Sequence, residues 1–447
     1  MNSESAAAEH ARPSAALHDI WTRIRISPIW IVTIALFLRL SWIVLGHTYK
    51  FKNTDDNFGF GWEMGRIGAS LASGRGFSDP FGPPTGPTAW EPPLYPHLIA
   101  AVFLVFGIYS KASAFVLLTF NSVCSALTCI PIFRIARRMF SEKAAVGSAW
   151  AWALLPNVMF WCTRSVWETS LSALLLATII WLTLIMEDRT GLQPWFEFGL
   201  LWGIAALNST SLLSFLPAAG MWAWYRCGLR DKKWFSARSL AGVVLASAVF
   251  FACITPWLVC DYRTFGKFIF IRDNFGAELR LGNGNGADGT WMEYLHPTQD
   301  VYAMRQYRAM GELPYITMRK QEALDYIRDD YSRFAVLCAR RFVYFWAGAP
   351  RPTQPEWLNS AKNSLFLASS VLTFWGIGRA LRLRKPGAWL LASLVLFYPA
   401  VYYVVFAAAR YRHPIEPEMA ILCVFLLTEA RRKSTSRPDQ LSARESG

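Results

Sequence analysis

Residues 54–67 read TDDNFGFGWEMGRI, which gathers three carboxylates, Asp55, Asp56 and Glu63, in one short aromatic turn. Further along, Glu91 opens EPPLYPHL, Glu168 sits in VWETSLSALL, and Arg410, Tyr411, Arg412 and His413 form the run RYRHP. Carboxylates set against guanidinium groups suit one kind of transfer. A hydroxyl nucleophile is weak near neutral pH and gains from a carboxylate base, while a phosphate leaving group is bound and neutralised by arginine. Transfer of a sugar from a lipid phosphate needs both, together with an apolar groove for the lipid. A single loop charge is more often simply solvated. Glu168 and Arg410 carry more weight because each borders a long apolar run, where a charge requires a partner or a polar cavity.

The elements that must hold these residues are membrane helices. The 447 residues are 53% hydrophobic and only 17% charged, against about 25% in soluble domains. Runs such as WIVTIALFLRLSWIVLG (30–46), LSALLLATIIWLTLIM (171–186) and LAGVVLASAVFFACIT (240–255) approach the roughly 20 residues that cross a bilayer. The net charge of +14 lies mainly in RIARRMF (134–140), RCGLRDKK (226–233), RALRLRK (379–385) and RRK (431–433), each just after an apolar run. That is the positive-inside pattern of cytoplasmic loops and argues against a nucleic-acid partner. The first apolar run is too long for a cleaved signal peptide and lacks a small-residue cleavage site.

With the basic loops inside, an all-α polytopic protein of about ten spans follows. Residues 1–27 form a cytoplasmic tail, and 28–259 form an N-terminal transmembrane module that includes an outer loop at 47–111. Residues 260–361 make an outer segment with interfacial helices, 362–430 the C-terminal spans, and 431–447 a second tail. The stretch 91–107 is short, begins with prolines and reads as an interfacial helix on the outer face. A crossing there would invert every later segment and put the basic clusters outside. The first loop, the Glu168 turn, the 260–333 segment and the Arg410 turn then share one side. The 313–334 part of that segment has helical periodicity. No repeat is visible along the chain, so an inverted-repeat transporter finds no support.

Other features are weaker. GNGNGADG (282–289), with Asn283 as a candidate binding residue, follows no strand and reads as a turn. Asn208 begins the sequon NST between two spans, an incidental match. The eight cysteines form no CxxC pair and imply buried thiols in place of a zinc site or a disulfide framework. His97 and His413 lack metal-pair spacing. Arg39, inside the first span, must face other helices, with a partner the sequence does not name.

In family order, the acidic first loop, IGASLASGRGF (67–77), PPLYPHL (92–98), NSVCSALTCIPIFRIARRMF (121–140), WETSLSALLL (167–176), GIAALNSTSLLSFLP (203–217) and RYRHPIEP (410–417) resemble glycosyltransferase family 39. That family holds the C-type enzymes that use polyprenyl-phosphate sugars, such as protein O-mannosyltransferases and aminoarabinose transferases. The resemblance implies a GT-C-like bundle and an inverting transfer of a hexosyl or pentosyl group on the periplasmic or outer face. It implies a first-loop base, Glu63 before Asp56 and Asp55, with Glu168 as second acid. Arg410 and Arg412 become phosphate contacts, with Tyr411, His413 and Glu91 beside the substrate. A divalent metal is compatible with it, and the partners are a polyprenyl-phosphate sugar, an acceptor of unspecified kind (protein, lipid or glycan) and the bilayer. Two departures stand out: the Asp pair precedes Glu63 by several residues, and Asn208, Ser209 and Thr210 stand where relatives often carry an arginine. No retention signal appears at SARESG, which points to a bacterial inner membrane. The rival functions are a polytopic transporter or flippase, and a glycan ligase using a diphosphate-linked donor.

Overall fold

A computed structural model describes residues 26–51, 57–230, 237–350 and 355–435. Among these residues the regular structure is helical, apart from an isolated bridge between Ser78 and Pro87. Helix α1 (Pro28–Leu45) begins with proline, whose fixed φ already suits a first turn, and stops at Gly46. Its buried stripe, Ile31, Ala35, Arg39 and Ile43, recurs every fourth residue, while Ile29, Phe37 and Leu45 lie exposed. An outward face so apolar belongs against lipid. Arg39 is fully buried and donates to Ser125 Oγ at 3.2 Å and to the carbonyls of Ala35, Trp152 and Ala153 at 2.9, 3.3 and 3.0 Å. Neighbouring helices therefore satisfy it.

Two helices follow in the segment after α1, α2 (Glu63–Ala72) and α3 (Leu94–Phe106). At 1.5 Å per residue α3 is about 20 Å long, short of the roughly 30 Å hydrocarbon core. It packs along α2, with Gly68 set so close to Ile99 that a Cβ there would lie 2.7 Å from the Ile99 side chain. The chain then enters the bundle through α4 (Lys111–Leu127) and α5 (Cys129–Met139), which run on almost unbroken. Helix α6 (Glu142–Leu154) starts at Ser141, whose hydroxyl accepts the Ala144 N–H at 3.2 Å, and Pro156 separates it from α7 (Pro156–Arg164). Next come α8 (Thr169–Ile185), α9 (Gln193–Asn208), α10 (Leu216–Arg230) and α11 (Ala237–Phe265).

Helices α9 and α11 pack closely because small residues meet there. A Cβ on Gly199 would lie 2.3 Å from the Ala246 carbonyl oxygen, and one on Gly203 would lie 2.6 Å from Cys253 Cβ. Gly199 and Gly203 form the GxxxG spacing that lets membrane helices approach. The seventh predicted span, 239–258, is longer than its hydropathy implied: α11 carries Pro256 and continues to Phe265.

The outer segment contains α12 (Phe275–Gly282), α13 (Val301–Met310), α14 (Glu312–Asp329) and α15 (Tyr331–Ala347). The C-terminal part adds α16 (Glu356–Arg382), α17 (Ala388–Phe397), α18 (Ala400–Val404), α19 (Ala409–Arg412) and α20 (Glu416–Thr435). Among the described residues, four stretches are long and apolar enough to cross a membrane: Pro28–Leu45, Lys111–Met139, Ser239–Phe265 and Glu356–Arg382. Thr169–Ile185 and Ala388–Val404 are shorter apolar helices packed among them. Asn208 is buried, with its side-chain amide on Ser172 Oγ at 2.9 Å, so the sequon is a helix-packing asparagine.

The two outer regions share a core of their own. Phe81 and Trp90 of the first loop pack with Ala277, Tyr307, Tyr315 and Ile316 of the second segment. Glu312, at the start of α14, fastens them: it accepts from Thr88 Oγ1 and the Ala89 N–H at 2.5 Å each, and from the Tyr307 hydroxyl at 2.7 Å. Asp273 N–H adds a 2.9 Å bond to the Ala89 carbonyl. This clasp lays the second outer segment over the first.

Candidate active site

Glu63 owes its place to glycine. Gly61 has φ +85°, and a Cβ on it would fall 2.2 Å from the Val166 carbonyl oxygen. With the bond from Val166 N–H to the Gly59 carbonyl at 3.2 Å, this close approach sets the FGFG turn against the strip that leads to Glu168. Trp62 follows at φ +47°, a costly conformation for a bulky residue. Its ring stacks on His296 at 5.5 Å and 16°, which offsets that cost.

His296 is the side chain against which Glu63 is held. It is buried beside Trp62, Phe81, Trp90 and Trp291. Its Nδ1 accepts the Thr298 N–H at 3.2 Å, so Nε2 carries the ring proton and donates it to Glu63 Oε1 at 3.0 Å. Burial alone would raise the Glu63 pKa. The hydrogen bond from His296, the backbone of its own helix and the charge of Arg66 together hold it below the usual carboxylate range.

Three further acids and two arginines complete a single electrostatic cluster. Arg272 Nη1 stands 3.7 Å from Glu91 Oε2 and donates through Nε to Asn274 Oδ1 at 2.8 Å; Asn274 in turn donates to Glu278 at 3.1 Å. Burial pushes Glu91 up to about 8, against the pull of Arg272 and with help from the charges of Glu63, Glu168 and Glu278. Arg410 interacts with the charges of both Glu168 and Glu63, while its guanidinium lies 3.9 Å over the Trp167 ring. Its Nη2 reaches the Tyr411 hydroxyl at 3.5 Å. Among the described residues, Trp62 Nε1, Glu91 Oε2 and Glu168 Oε2 are buried without a hydrogen-bond partner. Buried polar atoms are normally satisfied, so these three leave hydrogen-bonding capacity inside the cluster.

Several predicted residues lie elsewhere. Arg412 donates to Glu416 Oε1 at 3.3 Å, to Ser370 Oγ at 3.1 Å and to the Phe366 carbonyl at 3.2 Å. His413 is fully buried with Nδ1 on Glu416 Oε2 at 2.9 Å, and its ring stacks on Trp152. Both residues brace the start of α20 and turn away from the cluster. Asn283 is likewise a brace: its amide donates to the carbonyls of Leu279 and Val404 at 2.8 and 3.1 Å, and its oxygen accepts from Arg341 at 3.0 Å. Asp55 and Asp56 lie outside the described residues. Among those described, no three His, Cys, Asp or Glu side chains converge as donors, so the divalent ion that the resemblance allows has no complete donor set there.

Sequence reasoning missed His296, Arg272 and Glu278. The signal was an acid–base mixture in FIRDNFGAELR and a second His-Pro pair in YLHPTQD, but nothing local tied either to Glu63.

The sequence model of the family described as dolichyl-phosphate-mannose-protein mannosyltransferase matches residues 90–259. No curated protein matches the chain. The oligosaccharyltransferase of Archaeoglobus fulgidus in its apo form is similar with a TM-score of 0.53 and 14% identity, over 91% of this chain and 51% of that one. The same archaeal protein in complex with an inhibitory peptide and a dolichol-phosphate gives 0.52 and 14%, over 91% and 50%. Its complex with Zn and sulfate gives 0.51 and 17%, over 91% and 50%. This chain thus spans about half the length of that protein. A helical bundle matched in this way over nine-tenths of its length has the fold of the C-type glycosyltransferases.

Proposed function

We propose that this protein is a membrane glycosyltransferase that moves a sugar from a polyprenyl-phosphate donor to an acceptor on the outer face of the membrane. The observation that carries the reading is the convergence of Glu63, Glu91 and Glu168, from separate parts of the chain, opposite Arg272 and Arg410. In this reading the acceptor hydroxyl oxygen attacks the anomeric carbon. The bond from that carbon to the phosphate oxygen breaks, and the electron pair leaves on polyprenyl phosphate. Arg410 and Arg272 neutralise the departing charge, and the hydroxyl proton passes to Glu63.

Glu63 is suited to that role by its neighbour. The Nε2–H of His296 orients one carboxylate oxygen, leaving the other for the acceptor, and keeps the group ionised. A donor phosphate brought alongside raises its proton affinity, because like charge opposes ionisation. Glu91 remains protonated to about pH 8 and so can donate a hydrogen bond to the sugar or the phosphate. The family resemblance and the dolichol-phosphate complex of the archaeal oligosaccharyltransferase support a lipid phosphate as the donor's carrier.

The test is transfer from radiolabelled polyprenyl-phosphate sugars in membranes carrying Glu63→Gln or Glu168→Gln. Both are expected to lose turnover with the protein still folded, and wild-type rates in both would remove the proposed site.

A further inference from the structure

At the other end of α8 lies a second charged feature that plays no part in this chemistry. Arg134, Arg137 and Arg138 of α5 and Trp181 of α8 line an open-sided cleft of about 280 Å³. Thr169 and Trp181 are separated by about 18 Å along the helix axis, so the cleft sits towards the opposite membrane face from the acid cluster. Arg138 is committed, pairing with Glu187 at 2.7 Å and Asp188 at 2.5 Å. Glu187 is further shared with Arg226, so its charge is already used.

Arg134 and Arg137 are in a different state. Both are exposed, and among the described residues neither has an ion pair or a hydrogen bond. The Arg134 guanidinium stands 5.8 Å over the Trp181 ring and that of Arg137 stands 5.7 Å over Phe133. Aromatic contacts hold two planar forks beside one cavity, the arrangement that favours a phosphate over a point charge. Leu127, seven residues before Arg134 and hence on the same helix face, is an exposed apolar side chain. An acyl chain has a surface to follow there.

We propose that this cleft binds a phosphate group, and that its source is an anionic lipid headgroup in the leaflet opposite the active site. The purified full chain would be examined by native mass spectrometry and thermal unfolding with phosphatidylglycerol, with phosphatidylcholine and with inorganic phosphate. Phosphatidylglycerol is expected to be retained on the order of tenfold more than phosphatidylcholine, with the preference lost in Arg134→Gln/Arg137→Gln. The variant should unfold at the wild-type temperature without lipid, because both side chains are exposed. Arg134→Lys/Arg137→Lys should keep part of the preference, since charge survives and the fork does not. Saturation by inorganic phosphate, with no added effect of lipid, would keep the site and assign it to a soluble anion. An undiminished lipid preference in the double Gln variant, or equal retention of the two lipids, would overturn the proposal.

Discussion

Glu63 and Glu416 each open a helix, are buried and take a histidine partner, His296 at 3.0 Å and His413 at 2.9 Å. Beyond that the two diverge. Glu416 also accepts from Arg412 at 3.3 Å and from Asn157 at 3.0 and 3.1 Å, so both oxygens are occupied by the protein. Glu63 has His296 as its only hydrogen-bonded side chain among the described residues and faces a cluster in which Glu91 and Glu168 each keep an oxygen without a hydrogen-bond partner. Saturation is what separates a brace from a reagent. A carboxylate whose lone pairs are all claimed holds the fold, and one with a lone pair to spare can accept a proton.

The strongest test of this contrast sets Glu63→Gln against Glu416→Ala. The first should lower turnover by about 10²- to 10⁴-fold and leave the melting temperature near wild type, because glutamine still accepts from His296. The second should leave Arg412 buried without its counter-charge and cost about 3–5 kcal/mol, read as lost folded yield, with activity per folded molecule retained. Equal catalytic loss in two equally stable variants would erase the distinction.

Arg410 and Arg412 repeat it two residues apart. Arg410→Ala is expected to lower kcat by about 10²- to 10³-fold, whereas Arg412→Ala should act on stability, as measured by steady-state kinetics alongside thermal unfolding. A smaller effect separates the acids inside the cluster. If the Glu91 proton is needed, the rate falls as pH rises through about 8; Glu91→Gln, a permanent donor, should flatten that alkaline limb and keep most of the activity.

The smallest effect concerns Glu312, a further buried carboxylate and by its three donors a brace. Burial raises it to about 7 from an ordinary 4.5. The folded state therefore keeps a proton that the unfolded chain releases, and stability declines as pH climbs between those values and is level above. Glu312→Gln should remove that slope in unfolding measured from pH 5 to 8.

Much of this plan was legible in the sequence because hydropathy and basic loops are local signals. The helical bundle, the shortness of the 91–107 stretch and the presence of a helix that carries Glu63 all follow from runs and their borders. What was hidden depends on contacts between remote segments. His296 meets Glu63 only because the Glu312 clasp folds one outer segment onto the other, and that clasp joins residues 224 positions apart. Arg410 and Arg412 look alike in RYRHP, and only the direction each side chain takes from a four-residue helix divides them. Asn283 drew notice for its glycine neighbours, yet its amide serves the backbone.

Arg39 has a consequence for how the protein is made. Three of its four acceptors, Ser125, Trp152 and Ala153, lie 86 to 114 residues downstream, so the first hydrophobic segment leaves the ribosome with a guanidinium that only the Ala35 carbonyl receives. Placing that charge mid-bilayer costs about 2.5–3.5 kcal/mol at the translocon. Its insertion should therefore stay reversible until the later segments have been synthesised and dock around it.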